Sequence, residues 1–209
     1  MVSHDLKSPL QSIDALTTWI NEDYAENLGE GGREIVNLIK ENVEKMDTLI
    51  QGILEYSTIG KIEKKLYNID LNVLLEDLIL TIDNPDDIEI SIPDDLPTVY
   101  GDQHRMELLF YNLIHNSVKF NDKGSKGYVK IDYSDGTDFW KFTVSDNGKG
   151  IDKSYFDKIF IAFQKLENDY KSTGIGLSIV KKIVEAYKGS ISLESIPDVG
   201  TTFIFTLKK

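Results

Sequence analysis

The sequence predicts two units in tandem: an N-terminal all-α antiparallel helical hairpin, closing into a four-helix bundle as a dimer, and an α+β sandwich behind it. Three observations carry this. Two apolar heptad runs fill the first part, the period changes to alternating strands after it, and one long amphipathic run in the second part keeps polar residues on a shared face.

In the first run, Leu6, Leu10, Ile13, Thr17, Ile20 and Tyr24 step by 4, 3, 4, 3, 4, the seam of a coiled coil or bundle. A helix over 2–26 follows. Pro9 lies inside it and is expected to kink it, freeing a backbone carbonyl near His4–Asp5. Asn27-Leu-Gly-Glu-Gly-Gly32 is expected to end the helix, because glycines punctuate strongly. The second run, Ile35, Ile39, Asn42, Met46, Leu49, Ile53 and Tyr56, steps in the same way. Two helices joined by a short loop make a hairpin that cannot bury both stripes alone, so a homodimeric four-helix bundle is the economical solution. Asn42 on the seam reads as a register-setting residue.

Ser57–Tyr67 is polar and contains Gly60, which places a domain boundary there: a hairpin over 1–60, a linker over 61–66 and a second domain over 67–209. Tyr67–Asp70 reads as a short strand and Leu71–Ile82 as a helix. Ile88–Ile92 alternates as a strand does, and Thr98–Tyr100 follows a proline-bounded turn. Asp102–Phe120 is a helix with Met106, Leu109, Phe110, Leu113, Ile114 and Val118 on its apolar stripe. Tyr128–Tyr133 and Trp140–Val144 form a hairpin, Ile175–Tyr187 a helix, and Ser190–Glu194 with Thr202–Leu207 a last hairpin. The result is a mixed, largely antiparallel sheet with helices on one face.

Bulk properties narrow the function. The chain has 209 residues, 41% hydrophobic and 28% charged, with a formal net charge of −12. Nucleic acid and anionic membrane surfaces are therefore poor partners. There are no cysteines, which excludes disulfides and thiolate metal sites. No apolar run approaches the roughly 20 residues of a membrane span, and no signal peptide opens the chain.

Three stretches carry chemistry. In Asn112–Phe120, Asn112, Asn116 and Lys119 fall at i, i+4 and i+7 and share a face. Amide oxygens suit a hard cation such as Mg²⁺, and an ammonium suits the phosphates that bring it. Asp146-Asn-Gly-Lys-Gly-Ile151 follows a strand and makes a turn where a ligand approaches the backbone, with a carboxylate able to accept from an exocyclic amine such as that of adenine. Lys171-Ser-Thr-Gly-Ile-Gly-Leu177 leads into a helix, where free N–H groups and the dipole favour phosphate. It matches neither a P-loop nor the Rossmann spacing.

Together these stretches resemble the sensor histidine kinases of two-component signalling, over residues 1–207. The H box is similar to His4-Asp-Leu-Lys-Ser-Pro-Leu10, the N box to Asn112–Phe120, the first glycine box to Asp146–Gly150, the F box to Ile159-Phe-Ile-Ala-Phe163 and the second glycine box to Gly174-Ile-Gly-Leu177. The closing Gly200–Leu207 also matches. The resemblance implies the histidine-kinase type of ATPase sandwich. It implies His4 as phosphoacceptor, with Asp5 orienting its ring, and ATP with Mg²⁺ as the phosphoryl source. Asn116 would ligate the metal with help from Asn112, and Lys119 would reach phosphate. Asp146 would read the adenine amine, with Thr202 acting through water. The remaining nucleotide contacts would come from Phe120, Gly148, Gly150, Ile151, Lys165, Thr173, Gly174, Ile175, Gly176 and Leu177. The implied partners are a second copy of the hairpin and a response-regulator receiver domain docking near Leu6, Ser8 and Leu10. A cytoplasmic location is expected, with a full-length protein that is membrane-anchored or not.

The gyrase-type and chaperone-type cousins of that fold place a glutamate one turn before the metal asparagine, as base for water. Here that residue is Asn112, and an amide takes no proton, which favours transfer to a protein nucleophile over hydrolysis. The sequence also departs from the family. Lys165 stands where Arg is frequent, and Ser8 where Thr or Asn serves phosphatase activity. Gln164–Thr173 makes a short lid, with Glu167–Thr173 as its expected mobile part. Only three residues precede His4, so a chain shortened at its N-terminus is expected. An ATP-binding dimeric scaffold with little transfer activity, and a net phosphatase of a regulator, stay open as alternatives.

Overall fold

A computed structural model describes residues 2–24, 27–59, 65–165 and 173–209, and for residues 2–6 the backbone alone. Two long helices form the predicted hairpin, α1 (Val2–Asp23) and α2 (Gly29–Thr58). α1 continues through Pro9. The glycine cluster is not a loop: Gly31 and Gly32 belong to the first turn of α2, and only Gly29, at φ +60°, takes the left-handed backbone that a glycine supplies. Leu10 and Thr17 of α1 are buried with Val36 and Val43 of α2. The heptad residues Ile13, Ile20, Ile35, Ile39, Met46 and Ile53 are exposed in the single chain. Leu10, Thr17, Val36 and Val43 thus close the hairpin, and those six heptad residues form an apolar face that lies open on the single chain. Asn42 turns its amide back onto Leu38 O at 2.7 Å.

The second unit runs β1 (Tyr67–Asp70), α3 (Leu71–Ile79), β2 (Glu89–Ser91), β3 (Thr98–Gly101), α4 (Gln103–Lys119), β4 (Tyr128–Asp135), β5 (Phe139–Asp146), α5 (Gly176–Ala186), β6 (Ile191–Ile196) and β7 (Gly200–Lys208). The main sheet has the order β2-β4-β5-β7-β6, with β2–β4 parallel and the other pairs antiparallel. β1 and β3 form a separate two-stranded antiparallel sheet, a pairing that alternation alone does not reveal.

Strand alternation aims Val129, Ile131, Phe142, Val144, Phe203, Phe205 and Leu207 at the helices, where all are buried. Phe110 of α4 meets Phe142 and Phe205 edge-on, with centroids at 5.7 and 5.6 Å. Those two rings stack on each other at 5.2 Å. Asp102 caps α4 by accepting from Arg105 N–H at 3.0 Å. The Asp102 N–H donates to the Tyr187 hydroxyl at 2.8 Å, tying the start of α4 to the end of α5. Ile59, just past α2, is buried in this same core, so the hairpin is anchored into the second unit.

Candidate functional site

α4 presents its polar face to a cleft of about 430 Å³, within the roughly 300–1,000 Å³ of small-molecule sites. Asn112, Asn116, Lys119, Phe120, Asp146, Gly150, Ile151, Lys165, Thr173, Gly174, Gly176 and Leu177 all line it. Four stretches far apart in sequence therefore converge on one cavity.

Asp146 ends β5. Its Oδ1 accepts from the Gly148 N–H at 2.9 Å and from the Thr201 N–H at 3.3 Å, and its Oδ2 accepts from the Ser117 hydroxyl at 3.0 Å. Burial pushes its carboxyl above the usual carboxylate range, and the three donors pull against that. The turn after it is fixed by Asn147, whose Oδ1 accepts from Asn121 Nδ2 and the Tyr128 N–H while its Nδ2 donates to Lys126 O.

Asn112 Nδ2 donates to Leu108 O at 2.7 Å, which turns Oδ1 outward toward the start of α5. A β-carbon on Gly176 would lie 2.4 Å from that oxygen, so any side chain there would have to displace the Asn112 carboxamide. Gly174, at φ +69°, holds the approach to α5 in a left-handed turn and accepts from the Phe163 N–H at 2.8 Å. Lys119, Lys149 and Lys165 border the same cleft in a strongly acidic chain, which makes it locally attractive to anions. Among the described residues no group of three or more His, Cys, Asp or Glu could hold a metal. The donor set fits Mg²⁺ as neutral carboxamide oxygens completing a shell supplied by phosphate oxygens and water, not as a cage of its own.

Some expectations need correction. Thr202 is not on the cleft: it pairs with Ser145 across the β5–β7 ladder and its hydroxyl donates to Ser145 Oγ at 3.0 Å. Thr201, opposite Asp146, takes the place beside the carboxylate, because side chains alternate along β7. Ile175 is buried at 1% exposure, packs beside Gly52 of α2 and does not line the cavity. Gly148 lies behind Asp146 and acts through its N–H. The side chains of His4, Asp5 and Leu6, and residues 166–172 of the lid, lie outside the described residues.

Sequence reasoning missed Ser117, on the buried stripe of α4, and the stacked pair Tyr111–His115, whose ring centroids are 5.3 Å apart. It also missed Thr48, which α2 brings to the rim. Burial and Lys119 hold the His115 imidazole below its usual range, with Asp83 opposing them.

The family of "Histidine kinase-, DNA gyrase B-, and HSP90-like ATPase" domains matches residues 101–209, and the "His Kinase A (phospho-acceptor) domain" matches residues 1–62. The chain belongs to the histidine kinases. This histidine kinase chain is 37% identical to cyanobacterial phytochrome B of Nostoc sp., over 100% of its own length and 28% of that protein's. It is 35% identical to the adaptive-response sensory kinase SasA of Prochlorococcus marinus, over 99% of its own length and 56% of that protein's. It therefore spans just over a quarter of the phytochrome's length and just over half of SasA's. Full-length ShkA, solved in complex with AMPPNP, superposes with a TM-score of 0.76 at 25% identity, over 99% of this chain and 44% of that one. ThkA, solved in complex with the response regulator TrrA, shares the fold with a TM-score of 0.67 at 23% identity, over 100% of this chain and 60% of that one. Among the described residues no helix is long and apolar enough to cross a membrane.

Proposed function

We propose that this chain is the autokinase core of a two-component sensor. It binds ATP in the α4–α5 cleft and transfers the γ-phosphoryl group to His4, which passes it to an aspartate of a receiver domain. The observation that carries this reading is the convergence of Asn112, Asn116, Lys119 and Asp146 with the Gly174–Gly176 turn on one cavity.

In this reading Asp146, with its backbone donors fixed, accepts the adenine amine through the lone pairs left on Oδ2. Asn116 and Asn112 supply carboxamide oxygens to Mg²⁺, which neutralises phosphate charge when bound. Lys119 and Lys165 face the triphosphate, and the N–H groups at the start of α5 cradle it. An imidazole nitrogen of His4 forms the new P–N bond as the bond to the β,γ-bridging oxygen breaks and ADP leaves. Asp5 supports the proton on the other nitrogen. With Asn112 in place of an acid, no group at that position takes a proton from water, so transfer is favoured over hydrolysis.

The hairpin (1–60) carries dimerisation and the phosphoacceptor, 61–66 links it, and 67–209 binds ATP. The exposed heptad stripe supports a homodimer. The phosphoacceptor-domain match supports a receiver partner, while the net charge of −12 disfavours nucleic acid.

The test is labelling with Mg-ATP. The chain should gain an acid-labile, base-stable phosphate, and His4→Gln should abolish it. Undiminished labelling of His4→Gln would overturn the assignment.

A further inference from the structure

Gly52 lies in the body of α2, where a glycine weakens a helix. A β-carbon there would meet Ile175 Cδ1 at 3.0 Å and its Cβ and Cγ2 at 3.5 Å. The missing side chain is thus a notch in the hairpin, and Ile175 is seated in it. Lys182 of α5 fastens the same contact. It donates to Tyr56 O at 2.5 Å and stands 3.9 Å from the centroid of the Tyr56 ring.

Ile175 is the middle of a tripeptide whose outer members, Gly174 and Gly176, line the cleft. Its side chain reaches the hairpin while its neighbours' backbone shapes the phosphate end of the site. We propose that Gly52 is a positioning residue for nucleotide binding: its notch seats Ile175, holds the Gly174–Gly176 turn in its bound shape, and so couples hairpin docking to phosphate binding. The inference rests on the nucleotide reading given above. A turn already ordered by docking costs less to order when phosphate arrives, and by linkage phosphate strengthens docking in equal measure.

The full chain carries its own control. Gly31 lies in the same helix, where a β-carbon would meet nothing within 4 Å, so Gly31→Leu adds the same bulk to α2 without meeting the second unit. Gly52→Ala asks Ile175 Cδ1 to give by only a few tenths of an ångström, whereas the three further carbons of Gly52→Leu compete with Ile175 for the same space. Calorimetry would compare AMPPNP with Mg²⁺ against adenosine, which ends before the glycine turn. Gly52→Leu should weaken AMPPNP about fivefold or more while adenosine binds as to the parent, and Gly31→Leu should change neither. Tyr56→Ala, which loosens the docking from a part-exposed position, should shift AMPPNP in the same direction and serves if Gly52→Leu does not fold. Unchanged AMPPNP affinity, or equal loss of AMPPNP and adenosine, would overturn the proposal. A parent chain that binds no AMPPNP would overturn the nucleotide reading instead.

Discussion

Replacing Asp146 by asparagine should separate stability from nucleotide affinity. The carboxylate holds three donors, the N–H groups of Gly148 and Thr201 on Oδ1 and the Ser117 hydroxyl on Oδ2. In Asp146→Asn the amide oxygen keeps both backbone donors, and Nδ2 donates to the Ser117 oxygen while its second hydrogen faces the cleft. Burial raises the Asp146 pKa in the folded chain. The folded state therefore keeps this proton longer than the unfolded one. Stability falls as pH rises from the ordinary 3.8 through the raised value, and the deficit persists above it. The amide carries no charge to desolvate, so Tm at pH 7 should equal or exceed the parent's. The nucleotide loses a hydrogen bond to a charged acceptor, about 1.5–3 kcal/mol, or about ten- to hundredfold in Kd. Inosine triphosphate, with an acceptor in place of the amine, should lose less than ATP. Thermal melts at pH 5 and 7 and calorimetric titrations with the two triphosphates measure both effects. A lower Tm at pH 7, or unchanged ATP affinity, would refute the reasoning.

Two more outcomes follow from the same geometry. Gly176→Ala sets a methyl 2.4 Å from Asn112 Oδ1, and displacing that carboxamide should weaken Mg-AMPPNP by about tenfold, measured by titration with adenosine as the reference that stays constant. His115 has a lowered pKa, first from burial and then from Lys119. The stability tied to its neutral form is present above the ordinary 6.5 and is lost as pH falls through the folded value. His115→Phe keeps a ring against Tyr111 and should flatten the difference in urea midpoint between pH 7 and pH 5. Parallel slopes for parent and variant would exclude this residue as the source.

Most elements were legible because period and burial agree. Met106, Leu109, Phe110, Leu113, Ile114 and Val118 mark the inner stripe of α4 in sequence and in space, and the polar face they leave is the one that meets the cleft. The failures have physical causes. Thr201 and Thr202 differ only in the phase of β7 relative to β5, and phase is set by register, not by local composition. Ser117 sits on the apolar stripe and looks like a small core filler until β5 brings Asp146 within 3.0 Å. Thr48 reads as helix surface, since the approach of α2 to the second unit is a tertiary fact. The glycines before residue 33 signal a loop by propensity, yet Gly31 and Gly32 are absorbed into a 30-residue helix whose packing outweighs their cost.

The stripe of Ile13, Ile20, Ile35, Ile39, Met46 and Ile53 left bare on the hairpin also bears on how the molecule melts. If mass action between two chains covers that stripe, dilution lowers the midpoint at which the first fifty-odd residues lose their helical signal. The Phe110–Phe142–Phe205 cluster that seats α4 on the sheet is complete within one chain, so dilution reaches the second unit only as far as its docking to the hairpin transmits it.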